Sequence, residues 1–131
     1  MDTRKKVLLV EKDNAIWHCV RSILKKEIYD LDFADNTKYA LTKIQNNITD
    51  LILCDCNSLG VNVSEFISLI KNSTDNMPGI IVLTNNIGND VDYIQPGVDD
   101  LITKPLNSTE LQYRINRVFD RRNMIDLLNK D

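Results

Sequence analysis

The sequence predicts an α/β domain on a five-stranded parallel sheet, doubly wound, with helices on both faces. Three observations predict it. Five short apolar runs recur along the chain, at residues 7–10, 31–34, 51–54, 80–83 and 101–102. The first, third and fourth are continuous rather than alternating, as strands buried on both faces are. Between the runs lie segments with helical spacing. Strands alternating with helices imply βαβ units, whose right-handed crossovers place helices on both sides.

The elements follow in order. Val7-Leu8-Leu9-Val10 is the first strand. Ile16, Cys19, Val20, Ile23 and Leu24 then fall at i, i+3, i+4, i+7 and i+8, one apolar helix stripe capped by Asp13 or Asn14. His18 lies off that stripe as an exposed helix residue. The second run, Leu31-Asp32-Phe33-Ala34, alternates more and belongs nearer a sheet edge. Tyr39, Ala40, Lys43 and Ile44 mark a second, shorter helix, and Phe66, Leu69 and Ile70 a third, started by Ser64. Pro96-Gly97 limits any helix between Thr84 and Lys104 to a short or irregular one. Asn107-x-x-Glu110 resembles a capping box and opens the last helix, which continues through Leu111, Ile115, Val118 and Phe119. Residues 1–120 form the expected domain, of flavodoxin-like size. Residues 121–131 extend the last helix, as a frayed end or, in the preferred reading, as a stem toward a further domain.

Composition narrows the function. With 131 residues, 43% hydrophobic and 27% charged, the chain suits one domain and is not disordered. Its net charge of −3 lacks the electrostatic footprint of a nucleic-acid binder. No apolar run approaches the roughly 18 residues of a membrane span, and the N-terminal apolar segment is too short for a signal peptide. The expectation is a cytoplasmic protein with no membrane contact. Cys19, Cys54 and Cys56 form no disulfide framework, and one C-x-C pair does not fill a four-ligand metal site.

In such sheets the functional site lies beyond the carboxyl ends of the strands. Strand one ends in Glu11-Lys12-Asp13, strand three in Asp55, strand four in Thr84 and strand five in Lys104-Pro105. Carboxylates, a hydroxyl and an ammonium thus meet on one edge from four strands. The series Val-Leu-Leu-Val-Glu-Lys-Asp, Asp50-Leu-Ile-Leu-Cys-Asp55, Ile-Ile-Val-Leu-Thr84 and Asp99-Asp-Leu-Ile-Thr-Lys104-Pro105 resembles the receiver domain of bacterial two-component response regulators. The resemblance covers about residues 5 to 120.

The resemblance implies a role for each matched residue. Asp55 corresponds to the aspartate that accepts a phosphoryl group from a histidine kinase or phosphotransfer protein. Lys104 corresponds to the lysine that pairs with that aspartate and then with the phosphoryl oxygens. Thr84 corresponds to the hydroxyl that turns toward the phosphoryl group and carries the conformational change. Glu11, Asp55 and the backbone carbonyl of Asn57 correspond to the magnesium-holding set. The Lys104–Pro105 bond is expected to be cis. The implied protein is a phosphorelay switch rather than an enzyme, beyond catalysing its own phosphorylation. Its implied partners are the kinase, an output domain or partner protein, and a second copy in a homodimer.

The chemistry accounts for these residue types independently. A carboxylate is a competent nucleophile toward phosphorus. Phosphoryl transfer depends on positioning and on neutralising the equatorial oxygens with a cation, an ammonium and hydrogen-bond donors.

The pattern is broken in several places. Lys12 stands where the family has its second magnesium-binding acid. Glu11, Asp55, Lys12 and Lys104 then balance to zero charge without a metal. At about 4 Å and an effective dielectric near 20, one added charge pair is worth roughly 4 kcal/mol before desolvation. Two arrangements therefore compete: an Asp55–Lys12 ion pair that keeps magnesium out, or a Lys12 side chain that reaches solvent. Asp13 is a poorer ligand than a cap. The family's Met-Pro after the aspartate is Ser58-Leu59, its following glycine is Val63, and the small residue after the threonine is Asn85. Leu101 replaces the switch aromatic, which alters the usual output and dimerisation face. Trp17 stands near the active-site end of helix one, where the family is usually polar.

These departures motivate an alternative, a pseudo-receiver that binds partners independently of phosphorylation and is locked by Lys12. A flavin or nucleotide enzyme is a third class. The segment after strand one is no Ser/Thr/Gly phosphate loop, and neither G-x-x-x-x-G-K-[ST] nor G-x-G-x-x-G occurs.

Overall fold

In a computed structural model, which describes residues 1–85 and 93–129, nine elements follow one another among those residues. They are β1 (Lys5–Val10), α1 (Asn14–Ile23), β2 (Tyr29–Ala34), α2 (Thr37–Asn46), β3 (Leu51–Asp55), α3 (Val63–Lys71), β4 (Gly79–Thr84), β5 (Asp100–Thr103) and α4 (Ser108–Leu128). The strands form one sheet in the order β2-β1-β3-β4-β5, and each neighbouring pair is parallel. This is the doubly wound sheet that the apolar runs predict. As expected, β2 is an edge strand.

The continuous runs have a direct physical cause. Every residue of β3 and β4 is buried, because alternate side chains enter two different cores. Leu8, Val10, Ile52, Cys54, Ile80 and Val82 pack on one face with Ala40 and Ile44 of α2 and Phe66 and Ile70 of α3. Val7, Leu9, Leu51, Leu53, Ile81 and Leu83 pack on the other with Val20 of α1 and Leu111, Ile115 and Val118 of α4. Burying one such Leu or Ile side chain contributes about 1.5–3 kcal/mol.

The helix starts refine the expectations. Asp13, not Asn14, caps α1, with its carboxylate accepting the Ala15 backbone N–H at 2.9 Å. The third helix begins one residue before Ser64: Asn62 follows the turn at Gly60 (φ +75°), and its side chain accepts the Glu65 N–H at 2.8 Å. Ile67 is buried there, whereas Leu69 is only half-buried. In α2 the inward stripe is Thr37, Ala40 and Ile44, so Tyr39, one position off it, is exposed. The cap expected at Asn107 forms, accepting the Glu110 N–H at 3.0 Å, and α4 continues past residue 120 to Leu128.

The helix expected to be short or irregular before β5 falls partly on residues 86–92, outside the described residues. Residues 93–99 contain no α-helix, and Gly97 sits at φ +95°. No helix among the described residues is long and apolar enough to cross a membrane.

Candidate functional site

The sheet order reverses between β1 and β3, and the carboxyl ends of those strands carry the two acids. Val10 lies opposite Cys54, so Glu11 and Asp55 leave the sheet side by side. Both are buried, with Glu11 only 1% and Asp55 only 5% exposed. Asp55 lies opposite Leu83 on β4, the residue before Thr84, which is itself fully buried.

Lys104 closes the group from the far side of the sheet. Its backbone N–H donates to the Thr84 carbonyl at 2.8 Å, holding the end of β5 to the end of β4. Its ammonium Nζ lies 2.6 Å from Glu11 Oε1 and 3.3 Å from Asp55 Oδ1. Burial opposes the charge on Lys104. The Glu11 hydrogen bond and the nearby Asp55 and Glu11 charges outweigh it, so the ammonium is held above its ordinary range. The Lys104–Pro105 bond is cis, as expected.

Ser58 occupies the centre of the site. It is 1% exposed, on the turn after β3. Its Oγ lies 2.6 Å from Asp55 Oδ2 and 3.1 Å from Glu11 Oε2, and it accepts the Lys12 backbone N–H at 2.9 Å. Each of the four carboxylate oxygens therefore faces either the Lys104 ammonium or the Ser58 hydroxyl. Sequence comparison with the family marks Ser58 only as a departure. A small hydroxyl three residues after the key aspartate, where a long apolar side chain is expected, was the available signal.

The remaining positions divide clearly. Lys12 is exposed, and its ammonium enters none of the ion pairs among the described residues. Of the two competing arrangements, the exposed Lys12 is the one found, and among the described residues Lys104 is the ion-pair partner of Asp55. Asn57 lies exposed on the turn beside Ser58. Trp17 is half-buried, and its indole N–H donates to the Glu11 carbonyl at 2.5 Å. Its ring stacks on Phe33 with centroids 5.0 Å apart. His18 is exposed on α1, as its spacing predicts.

Residues 7–116 match the family model described as the response regulator receiver domain. The chain belongs to that family. This receiver domain is 34% identical over 119 residues to the transcriptional regulatory protein KdpE of Staphylococcus aureus, an alignment covering 90% of this chain and 51% of KdpE. The chain thus spans about half the length of that relative. Among solved structures, it resembles the signal receiver domain of the putative Luxo repressor protein from Vibrio parahaemolyticus. The TM-score is 0.82 at 24% identity, covering 98% of this chain and 99% of that one. It also resembles the receiver domain of sensor histidine kinase PA1611 from Pseudomonas aeruginosa, with TM-score 0.76 and 24% identity, covering 88% of this chain and 98% of that one. The PA1611 structure has a magnesium ion coordinated in its active site cleft.

The donor chemistry of this receiver fits such an ion in a reduced form. Glu11 and Asp55 supply two buried carboxylates, and no cluster of three His, Cys, Asp or Glu side chains suited to a metal occurs among the described residues. Magnesium is satisfied by one or two carboxylates when waters and phosphate oxygens complete its octahedron. Lys12 is exposed and pairs with neither acid.

Proposed function

We propose that Asp55 is the phosphoacceptor of this receiver domain, taking a phosphoryl group from a histidine kinase or phosphotransfer protein. One observation carries the reading: the buried Asp55 carboxylate at the end of β3 has the Lys104 ammonium 3.3 Å from Oδ1. A carboxylate oxygen of Asp55 attacks phosphorus in line. The new O–P bond forms as the P–N bond to the donor imidazole breaks, and the electron pair stays on that nitrogen. Lys104 balances charge on the carboxylate before transfer and on the phosphoryl oxygens after it. Thr84 supplies a hydroxyl at the adjacent strand end.

Glu11, Asp55 and the Asn57 carbonyl would hold a magnesium ion. Bound there, the ion would neutralise the equatorial phosphoryl oxygens. We read the domain as a cytoplasmic switch rather than an enzyme, one that acts on an output domain or partner protein, with homodimerisation a further mode. In this reading the domain itself touches neither nucleic acid nor membrane. The pseudo-receiver alternative draws on Lys12, Leu101 and the shortened helix expected before β5; its Lys12 lock gains no support, because the exposed Lys12 side chain forms no ion pair with Asp55.

The test is incubation with phosphoramidate and magnesium, followed by intact-mass measurement. The native chain should gain one phosphoryl group and Asp55→Asn none. Uptake by Asp55→Asn, or none by the native chain, rejects the assignment.

A further inference from the structure

We infer that Ser58 is a positioning residue that latches the Glu11–Asp55 pair closed, and thereby sets how tightly the site takes a divalent cation. The inference rests on the reading of those two acids as the cation site.

The geometry of one hydroxyl carries it. Ser58 Oγ is buried and has three polar neighbours: Asp55 Oδ2 at 2.6 Å, Glu11 Oε2 at 3.1 Å and the Lys12 N–H at 2.9 Å. A serine hydroxyl has a single proton and two acceptor lone pairs. The Lys12 N–H occupies one lone pair, which turns the proton toward the carboxylates. The 2.6 Å contact lies in the short range of an O–H···O⁻ bond, about twice as strong as a neutral one. The proton therefore belongs mainly to Asp55, with Glu11 as a second acceptor.

Two consequences follow. The chain Asp55 Oδ2–Ser58 Oγ–Lys12 N ties the turn after β3 to the segment after β1. A cation that approaches Asp55 Oδ2 also competes with the hydroxyl for that oxygen's electron density. An apolar side chain at residue 58 would leave that oxygen open. Ser58 thus favours the metal-free arrangement at the expense of metal affinity, and its removal moves the two properties in opposite directions. A residue of merely structural value would lower both.

The experiment compares the native chain, Ser58→Ala and Ser58→Thr in two measurements. One is magnesium chloride titration followed by Trp17 fluorescence; the other is thermal unfolding without metal. Ser58→Ala should bind magnesium about threefold to tenfold more tightly and melt at a lower temperature without it. Ser58→Thr, which keeps the hydroxyl, should stay within about twofold of native. An alanine variant with equal or weaker magnesium affinity overturns the latch, as does a magnesium response absent from every variant. Should Ser58→Ala fail to fold, Ser58→Cys carries the test. Its thiol has similar shape but donates weakly, so tighter binding supports the latch and unchanged binding overturns it. Phosphoramidate labelling that depends on Asp55 judges the phosphoacceptor reading separately. Labelling intact with unaltered magnesium affinity in Ser58→Ala would sink the latch alone.

Discussion

The indole N–H of Trp17 reaches the backbone carbonyl of Glu11 at 2.5 Å, joining helix α1 to the residue that supplies one of the two buried acids. The same ring stacks on Phe33, over which Arg21 lies at 4.9 Å from the centroid. A half-exposed aromatic is thereby fixed at both its polar and apolar ends.

Trp17 should report events at the acid pair. Magnesium with a beryllofluoride phosphoryl mimic is expected to change its emission saturably, and Asp55→Asn should abolish the change. Trp17→Phe should keep the ring contact, lose the hydrogen bond and cost about 0.5–1.5 kcal/mol in urea unfolding. A cost near zero would show that the bond adds nothing to stability.

Lys104 is expected to be the most sensitive side chain of the site. Lys104→Met leaves two buried carboxylates without their ammonium, a loss of about 3–5 kcal/mol at neutral pH. The pH dependence has a definite sign. The folded-state value of Lys104 lies above its ordinary 10.5, so its contribution is fully present below about pH 10.5. That contribution disappears as pH rises through the folded value. The stability gap between native and Lys104→Met should stay constant from about pH 7 to 10 and narrow above that. Parallel denaturant curves across the range measure it; a gap that widens in alkali contradicts the sign.

Restoring an acid at residue 12 should strengthen cation binding. Lys12 is exposed and enters no ion pair among the described residues, so Lys12→Asp adds a third carboxylate at the rim with little cost to the fold. Magnesium affinity by calorimetric titration should tighten about tenfold, or about 1.4 kcal/mol. An unchanged affinity would mean that residue 12 does not face the ion.

Gly79 marks a close approach of α4 to the sheet. A Cβ built there would lie 2.9 Å from Val118 Cγ1 and 3.3 Å from Leu51 Cδ1. Gly79→Ala should cost about 1–3 kcal/mol through overpacking. Val118→Ala in the same chain should recover part of that loss, because the two sites share one contact. Strict additivity of the two losses would place the strain elsewhere.

How far the sequence carries depends on which forces act locally. The strands were legible because β3 and β4 bury both faces and so contain uninterrupted apolar runs. Asp55, Glu11 and Lys104 were legible because strand ends in a parallel sheet converge whatever the loops do. The start of α3 was less so, since Asn62 and Ser64 are both good caps and the turn at Gly60 decides between them. Tyr39 marked α2 correctly, but its exposure was not legible: residues 37, 40 and 44 set the inward stripe, and composition alone does not fix its phase. The role of Ser58 depends on two turns from distant parts of the chain meeting. The position of Lys12 depends on a long side chain choosing between solvent and a pair. Neither is a matter of periodicity.

The alternation of β3 has a consequence for thiol chemistry. Cys54 is fully enclosed in the α2–α3 core, and burial pushes its thiol well above the ordinary range, whereas Cys19 and Cys56 are partly accessible. An alkylating reagent therefore meets two populations in one chain. Cys19 and Cys56 are modified from the native state, while Cys54 waits for the sheet to come apart. The slow phase of labelling at Cys54 becomes a built-in clock for opening of the strand that carries Asp55.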